Sequence, residues 1–454
     1  MTLNLYPGPG RHARLLIIAL LASCILLPIP AAAEQLQQSA ACLPDDPYDL
    51  DTMIQVMSRP NPPTVPVQLN DDLTLVYVGV GDMIADGEDD TEPGPTPRPN
   101  PRPTEPDPAQ TSYGPMKIRA FNNANRFMFD IIMSERMLKR IDRCREEAGL
   151  TSADGGEDGF GPAEGQHVFM PLLLNGSAGT GPAAATRGWS NGDDTRIVRS
   201  PTTLWPWRTI AQQSFVGDDE SRCTQTLIGP RHMVTAAHCI VNFGTTAWKT
   251  RELTPGRNGP GISPYGMTTI TPNPAPGQTV WYFVPSQWTD PGTSNQWVWD
   301  WGMVVIPDFL GNQTGWMGYG AWSAGVLNGE THLNRGYPRC NVPNYGGEPA
   351  NCQPARLYGD TKACELGDYS DQLADGWNRR ISVSCDLSKG HSGSAVYHYR
   401  YDPHLDKTVP VVTMVVSTEV CGSSCSATND FPSTARRLTP ADVAVISFFR
   451  EAFP

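Results

Sequence analysis

Residues 235–239 read Thr235-Ala-Ala-His238-Cys239, in which two small residues lead into a histidine and a cysteine. A second cysteine, Cys223, lies sixteen residues before Cys239. A lone histidine in such a turn is more often structural than catalytic. The run therefore indicates catalysis only if a nucleophile and an acid accompany it elsewhere in the chain.

A serine on a glycine-rich turn follows downstream, in Gly390-His-Ser392-Gly-Ser394-Ala-Val396. Glycines without a Cβ allow backbone N–H groups on such a turn to face a substrate carbonyl. The N–H groups of Gly390 and Ser392 are the predicted oxyanion hole, and each donor of such a site contributes about 3 kcal/mol to transition-state stabilisation. Gly-x-Ser-Gly by itself is common in loops, so it indicates a catalytic serine only in combination with the His238 motif upstream.

An aspartate lies between the two motifs, at Asp300 within the apolar run 297–306. Burial of a carboxylate is costly unless its charge is paired or hydrogen-bonded, and the predicted partner is the Nδ1–H of His238. A simple turn acid at a strand edge is the competing interpretation. Asp290 and Asp308 lie in proline-containing turns and are weaker candidates.

Together, the three motifs in the order His, Asp, Ser resemble the chymotrypsin-like serine peptidases, and most of all the exported bacterial branch that includes glutamyl endopeptidases. Further similar stretches are 193–198, 205–207, 223–231, 314–316 and 336–338. The resemblance covers residues 195–454 and implies two six-stranded antiparallel β-barrels, with His238 and Asp300 on the first barrel and Ser392 on the second. It also implies that Cys223 and Cys239 are joined.

Two further residues are predicted to bind substrate from the same resemblance. Asp386 is six residues before Ser392, where trypsin-like peptidases place the acid at the base of the S1 pocket, and this favours Arg or Lys at P1. In the glutamyl branch an aspartate nearby often plays no such part. Ser417 lies in residues 416–419, which correspond to the S1 wall and contain no histidine for a substrate carboxylate. The P1 preference therefore stays open.

The chain departs from the trypsin pattern immediately before the nucleophile. Trypsin-type peptidases have an aspartate there, which binds the ammonium group freed by zymogen cleavage, whereas this chain has His391. Residues 196–198, Arg196-Ile197-Val198, resemble an activation junction. Cleavage there is expected to remove an inhibitory or folding segment without forming the trypsin-type ion pair.

Composition independently favours β structure. The 454 residues include 43 Gly and 43 Pro, and only 18% are charged, which argues against coiled coils and long helical bundles. Short β-branched and aromatic runs from about residue 196 predict an all-β unit. Thr439, followed by Pro440 and Asp442, predicts the start of one C-terminal helix.

The N-terminal third has a different character. Residues 1–33 resemble a signal peptide, with basic residues, an apolar run and a small-residue cleavage site. Residues 34–195 form the predicted pro-region or accessory segment, which is partly disordered and contains a proline-rich linker. Within it, residues 73–80 predict a strand and 117–147 a helix. Residues 196–454 are the predicted peptidase domain.

The cysteines predict disulfides rather than metal ligands, because an exported chain meets an oxidising compartment. We expect bonds between Cys42 and Cys144 and between Cys421 and Cys425. The connectivity of four further cysteines is open: Cys340, Cys352, Cys364 and Cys385. No metal site and no cofactor is predicted.

The predicted function is that of a secreted serine endopeptidase acting on protein or peptide substrates. Alternatives are a catalytically silent homologue serving as an extracellular binding module, or another acyl hydrolase. The net charge of −13 disfavours nucleic acid, no membrane span is predicted for the mature chain, and a monomer is expected. The location is extracellular or periplasmic, and lipid anchoring through Cys24 is a less favoured alternative.

Overall fold

A computed structural model describes residues 50–84, 114–147, 194–340, 349, 351–402, 407–419 and 433–454. The described strands, in chain order, are β1 (Val67–Asn70), β2 (Leu73–Val80), β3 (Asp82–Ile84), β4 (Met116–Asn122), β5 (Phe127–Met133), β6 (Arg196–Val198), β7 (Ile210–Ser214), β8 (Ser221–Leu227), β9 (His232–Thr235), β10 (Ala247–Lys249), β11 (Arg251–Pro255), β12 (Thr268–Ile270), β13 (Trp281–Pro285), β14 (Gly302–Val305), β15 (Gly318–Tyr319), β16 (Leu333–Asn334), β17 (Tyr358–Asp360), β18 (Leu366–Gln372), β19 (Asn378–Val383), β20 (Ala395–Asp402), β21 (Lys407–Glu419) and β22 (Ser433–Arg437).

The described α-helices are α1 (Leu50–Ser58), α2 (Glu135–Glu147), α3 (Gly311–Thr314), α4 (Ala324–Leu327) and α5 (Pro440–Ala452). Short 3₁₀ turns lie at Trp207–Thr209, Ala237–Cys239, Ser286–Thr289 and Gln296–Trp299. None of the described helices is long and apolar enough to cross a membrane.

The all-β class is confirmed, but the predicted pair of six-stranded barrels is not what the strand order shows. One sheet has eleven strands in the order β1-β2-β5-β4-β13-β14-β9-β8-β7-β11-β12. The other has seven, in the order β16-β20-β21-β22-β19-β18 with β15 paired to β21. The first sheet is larger than expected because the N-terminal third adds four strands to the free side of β13.

Register within the larger sheet brings two predicted catalytic residues to one edge. β9 and β14 are antiparallel neighbours, and Thr235 at the end of β9 pairs with Gly302 at the start of β14. His238 follows β9 in a 3₁₀ turn, and Asp300 precedes β14 immediately after another. Both side chains therefore lie at the same end of the sheet.

The helix predicted over residues 117–147 is wrong in its first half. Residues 116–122 and 127–133 are the paired strands β4 and β5, and helix begins only at Glu135. A turn intervenes, in which Asn122 Oδ1 accepts the N–H groups of Ala124 and Asn125 and Arg126 takes a left-handed φ of 62°. Aromatic and β-branched residues in 127–133 favour the strand once a partner sheet is available. The strand predicted at 73–80 is confirmed as β2.

The N-terminal strands share the core of the downstream unit. β4 pairs with β13, and the ring of Phe121 stacks on Trp248 at 4.7 Å. The strand β3 pairs in parallel with β10. On the other face α1 and α2 contact the C-terminal helix α5.

The helix α5 starts as the sequence predicted. Thr439 is its N-cap, and the side chains of Thr439 and Asp442 each accept a hydrogen bond from the other's backbone N–H in a capping box. Arg436 donates to Asp442 Oδ2 at 2.9 Å, and both side chains are fully buried. The burial of Asp442 is thus compensated by a paired charge and several donors.

Candidate active site

His238 and Asp300 form a hydrogen-bonded pair at the ends of two neighbouring strands of the larger sheet. Nδ1 of His238 lies 2.8 Å from Oδ2 of Asp300, and the backbone N–H of His238 donates to Oδ1 at 3.0 Å. The Asp300 side chain is 0% exposed and that of His238 is 13% exposed. Asp300 therefore holds the imidazole through Oδ2 and the backbone of His238 through Oδ1, and Nε2 is the ring nitrogen that Asp300 does not contact.

A third group completes the surroundings of Asp300. The hydroxyl of Ser417 donates to Asp300 Oδ2 at 2.5 Å, and Ser417 is 1% exposed. The sequence predicted Ser417 as a substrate-binding residue, and in the structure its hydroxyl contacts the aspartate. No local pattern marks this role, because Ser417 and Asp300 are 117 residues apart in the chain.

Ser392 lies beside the histidine loop and is anchored there through its backbone. Its carbonyl accepts the N–H of Thr224 at 2.8 Å and lies 3.5 Å from Cys239 Sγ. Its side chain is only half-buried. The second sheet thus delivers the predicted nucleophile to the strand and the disulfide that carry His238.

The glycines around Ser392 are required by close backbone approach. Gly390 has a φ of 92°, and a Cβ there would lie 2.4 Å from the carbonyl oxygen of Tyr337. Gly393 has a φ of 78°, and a Cβ there would lie 2.0 Å from Thr235 Oγ1. Any other residue at either position would displace the loop that holds Ser392.

In the loop 390–394, some backbone N–H groups donate hydrogen bonds within the chain and others do not. Those of His391, Gly393 and Ser394 donate to carbonyls of Ser388, Val416 and His391 at 2.8–3.0 Å. Within the described part of the chain, the N–H groups of Gly390 and Ser392 donate no hydrogen bond. These two are the donors predicted for the oxyanion hole.

Between the predicted nucleophile and the predicted base, the described residues show no hydrogen bond from Ser392 Oγ to His238 Nε2. Catalytic hydrogen bonds of this kind are often long in ligand-free structures and tighten when substrate binds. The arrangement therefore has an oriented imidazole, a half-buried serine whose backbone contacts the histidine loop, and two N–H groups that donate no hydrogen bond in the described residues.

Asp386, the predicted acid at the base of the S1 pocket, is buried and hydrogen-bonded within the chain. Its Oδ2 accepts the backbone N–H of Thr195 at 2.7 Å and the Thr195 hydroxyl at 2.8 Å, and the residue is 2% exposed. Its own N–H donates to Asp360 Oδ2 at 3.2 Å. Burial and the nearby charge of Asp386 raise the pKa of Asp360 well above its usual value. The carboxylate of Asp386 is thus engaged by the chain itself.

His391, which stands where trypsin-type peptidases have an aspartate, is 1% exposed. Its Nδ1 lies 3.3 Å from the carbonyl and 3.4 Å from the hydroxyl of Ser388. Burial lowers the pKa of His391 well below its usual value, so the imidazole is neutral at pH 7. A Cβ on Gly336 would lie 2.7 Å from this ring, which explains a glycine at that position.

Three disulfides lie in the described residues: Cys223–Cys239, Cys340–Cys352 and Cys364–Cys385. The last two resolve the connectivity that the sequence left open. The expected partner of Cys144, Cys42, lies outside the described residues, as do Cys421 and Cys425. Those two pairings stay predictions.

Two clusters in the described residues bring together side-chain types that bind metals: Cys223, His238 and Cys239, and Asp360, Cys364 and Cys385. Within each cluster the two cysteines are joined in a disulfide, Cys223–Cys239 in the first and Cys364–Cys385 in the second. A disulfide sulfur is not a thiolate, and the thiolate is the form that binds metal ions. Neither cluster has the donor chemistry of a metal centre.

No protein-family model matches the chain. It is 29% identical over 208 residues to a glutamyl endopeptidase of Bacillus licheniformis, a match that covers 45% of this chain and 54% of that protein. It is also 29% identical over 196 residues to a Bacillus subtilis protein named extracellular metalloprotease, covering 40% of this chain and 58% of that protein. The chain thus spans about half the length of the curated relatives it matches.

Among solved structures, a Glu endopeptidase in complex with MPD is similar with a TM-score of 0.40 and 21% identity, over 57% of this chain and 98% of that one. The protease Anisep from Arthrobacter nicotinovorans is similar with a TM-score of 0.36 and 16% identity, over 54% and 93%.

The relationship predicted from the His238, Asp300 and Ser392 motifs is confirmed by the sequence match to glutamyl endopeptidase. The chain is a relative of the chymotrypsin-like serine peptidases. Within that class it is related to the glutamyl endopeptidases.

Proposed function

We propose that this chain is a serine endopeptidase in which Ser392 is the nucleophile, His238 the general base and Asp300 the residue that orients the base. The observation that carries the proposal is the fully buried Asp300, both of whose oxygens hold His238 at 2.8 and 3.0 Å. A buried carboxylate fixing one imidazole nitrogen leaves the other nitrogen to accept a proton.

In the proposed reaction Ser392 Oγ attacks the scissile carbonyl as His238 Nε2 takes the hydroxyl proton. The tetrahedral oxyanion accepts hydrogen bonds from the N–H groups of Gly390 and Ser392. Collapse expels the amine, which receives the proton from His238, and leaves an acyl-enzyme on Ser392. Water, deprotonated by His238, then attacks the acyl group and releases the second product.

Substrates of this activity are proteins or peptides. In this proposal Asp386 does not determine the P1 preference. Its carboxylate is 2% exposed and already accepts two hydrogen bonds from Thr195.

Export, removal of residues 1–33 and assignment of residues 196–454 to the peptidase domain are part of the same proposal. Export is supported by the Bacillus subtilis relative, which is named an extracellular metalloprotease. Residues 34–195 then belong to the exported chain as a pro-region or accessory segment.

Labelling with a fluorophosphonate probe tests the activity directly. The parent chain should be modified on the peptide that contains Ser392, and Ser392→Ala should not be modified at all. Ser394→Ala is a matched control, because Ser394 is a fully buried serine two residues away whose hydroxyl accepts a hydrogen bond from Asn334. A folded parent chain that resists the probe and cleaves no member of a peptide library would instead indicate the silent binding module.

A further inference from the structure

The segment 194–198 lies against the outer side of the nucleophile loop. β6 pairs with β17 in this segment. The guanidinium of Arg196 donates hydrogen bonds from Nε and Nη2 to the two oxygens of Asp194, at 2.9 and 3.0 Å. Its third nitrogen, Nη1, donates to Ser388 Oγ at 2.7 Å. The Arg196 side chain is 0% exposed. A planar guanidinium held on one edge by a carboxylate presents its other edge in a fixed direction.

Ser388 connects this arginine to the donors of the oxyanion hole. Its carbonyl accepts the N–H of His391 at 3.0 Å, which closes the tight turn containing Gly390. Its hydroxyl lies 3.4 Å from Nδ1 of His391, the residue immediately before Ser392. A shift of Ser388 would therefore move the N–H groups of Gly390 and Ser392, which must point at one oxygen.

A second contact holds the same loop two residues earlier. Thr195 donates its backbone N–H and its hydroxyl to Asp386 Oδ2 at 2.7 and 2.8 Å. Thr195 thus contacts Asp386, and the next residue, Arg196, contacts Ser388. Residues 386–388 lead directly into the turn that contains Gly390 and Ser392. Both contacts exist in the uncut chain.

We propose, on the basis of the proposed peptidase function, that Arg196 is a positioning residue. Held by Asp194, it fixes Ser388 and so keeps the Gly390 and Ser392 N–H groups aligned without cleavage of the Arg196–Ile197 bond. The sequence resembles an activation junction at this bond. The Arg196 side chain is buried, so a processing protease that recognises it could bind only after β6 separates from β17.

Steady-state kinetics of the full chain test this role. Arg196→Ala should lower kcat by about 10- to 100-fold with little change in KM, since the lost interaction acts on oxyanion stabilisation and not on ground-state binding. The rate of Ser392 phosphonylation by the fluorophosphonate should fall in parallel. Arg196→Lys should recover little, because an ammonium group cannot pair with Asp194 and Ser388 as a fork.

Two further measurements separate positioning from folding. Addition of n-propylguanidinium to Arg196→Ala should restore part of kcat, and Ser388→Ala, which keeps the Arg196–Asp194 pair, should show the same kcat loss in milder form. All rates are expressed per active site by burst titration. Arg208→Ala is the control, since Arg208 donates to the carbonyl of Thr314 away from the nucleophile loop.

The outcomes are distinguishable. A folded Arg196→Ala chain with parental kcat per active site overturns the inference and leaves the peptidase function intact. So does a parent chain that becomes reactive only after hydrolysis between Arg196 and Ile197, as measured by mass spectrometry. A parent chain that is unreactive both before and after such hydrolysis overturns the proposed function, and this inference with it.

Discussion

The hydroxyl of Ser417 and the imidazole of His238 share one oxygen of Asp300: Oδ2 lies 2.5 Å from Ser417 Oγ and 2.8 Å from His238 Nδ1. The two partners come from different sheets, since His238 follows β9 and Ser417 lies in β21. One of the contacts between the sheets therefore passes through the proposed catalytic aspartate.

Ser417→Ala should weaken both catalysis and folding. A fully buried carboxylate that loses one donor costs about 1–3 kcal/mol of unfolding free energy. We expect kcat/KM to fall about 3- to 30-fold, because the remaining bonds to His238 still orient the ring. Denaturant unfolding and peptide kinetics measure the two effects. Ser394→Ala, which removes a buried hydroxyl that does not touch Asp300, should leave kcat/KM within about twofold of the parent; equal losses in both variants would contradict the role of Ser417.

The triad substitutions should be far more severe. Ser392→Ala and His238→Ala should each remove nearly all peptidase activity, leaving only the residual rate from binding and the oxyanion hole. Asp300→Asn should lower kcat by about 10³- to 10⁴-fold, because the amide favours the wrong tautomer of His238. Cleavage of casein by folded Ser392→Ala at the parental rate would show that the mechanism is wrong.

Removal of the N-terminal strands should prevent folding of the remainder. A chain that starts near Ile197 lacks β4, which pairs with β13, and the Phe121 ring that stacks on Trp248. We expect insoluble protein, rescued at least in part by supplying residues 34–195 in trans. Soluble expression with parental peptide turnover would instead show a removable inhibitory segment. Soluble protein that cleaves short peptides normally but proteins poorly would indicate a substrate-binding surface.

A single substitution tests the same contact with less disruption. Phe121→Ala should lower the free energy of unfolding by about 3–5 kcal/mol, since the ring is fully buried. Val80→Ala is the control on the same N-terminal segment, because Val80 is 50% exposed, and it should change stability by less than about 0.5 kcal/mol. Equal effects of the two substitutions would count against a shared core.

Acid should destabilise the fold through its buried histidines. Burial lowers the pKa of His398 to about 3, with the nearby His332 and Arg400 adding to the shift, and burial also lowers the pKa of His332. An imidazole whose pKa is depressed in the fold is protonated more readily in the unfolded chain. Its contribution to stability is therefore intact above the unfolded pKa of about 6.5 and is lost progressively as pH falls below it.

Unfolding at two pH values measures this effect. Between pH 7 and pH 4.5 the parent should lose about 2–3 kcal/mol on account of His398 alone. His398→Phe should lose correspondingly less over the same interval, whatever its stability at pH 7. Identical pH dependence of the two proteins would contradict a neutral buried His398.

The sequence identified the residues whose surroundings are local. His238 and Ser392 stand out because small residues or glycines flank them, and Asp300 because it interrupts an apolar run. The capping residues of α5 were recognisable for the same reason. The helix predicted over 117–147 failed because the pairing of β4 with β13, more than 150 residues downstream, decides that stretch.

The sequence by itself determined the all-β class, the order of the three proposed catalytic residues and the cysteine that lies beside His238. Each of these features depends on residues that are neighbours in the sequence. Tertiary structure alone decided that Ser417 contacts Asp300, 117 residues away, and that Arg196 contacts Ser388, 192 residues away. It also decided that the N-terminal strands complete the larger sheet. These contacts form because buried polar groups and strand edges must be hydrogen-bonded when distant segments pack together. The sequence around each residue does not show which distant segment will supply the partner.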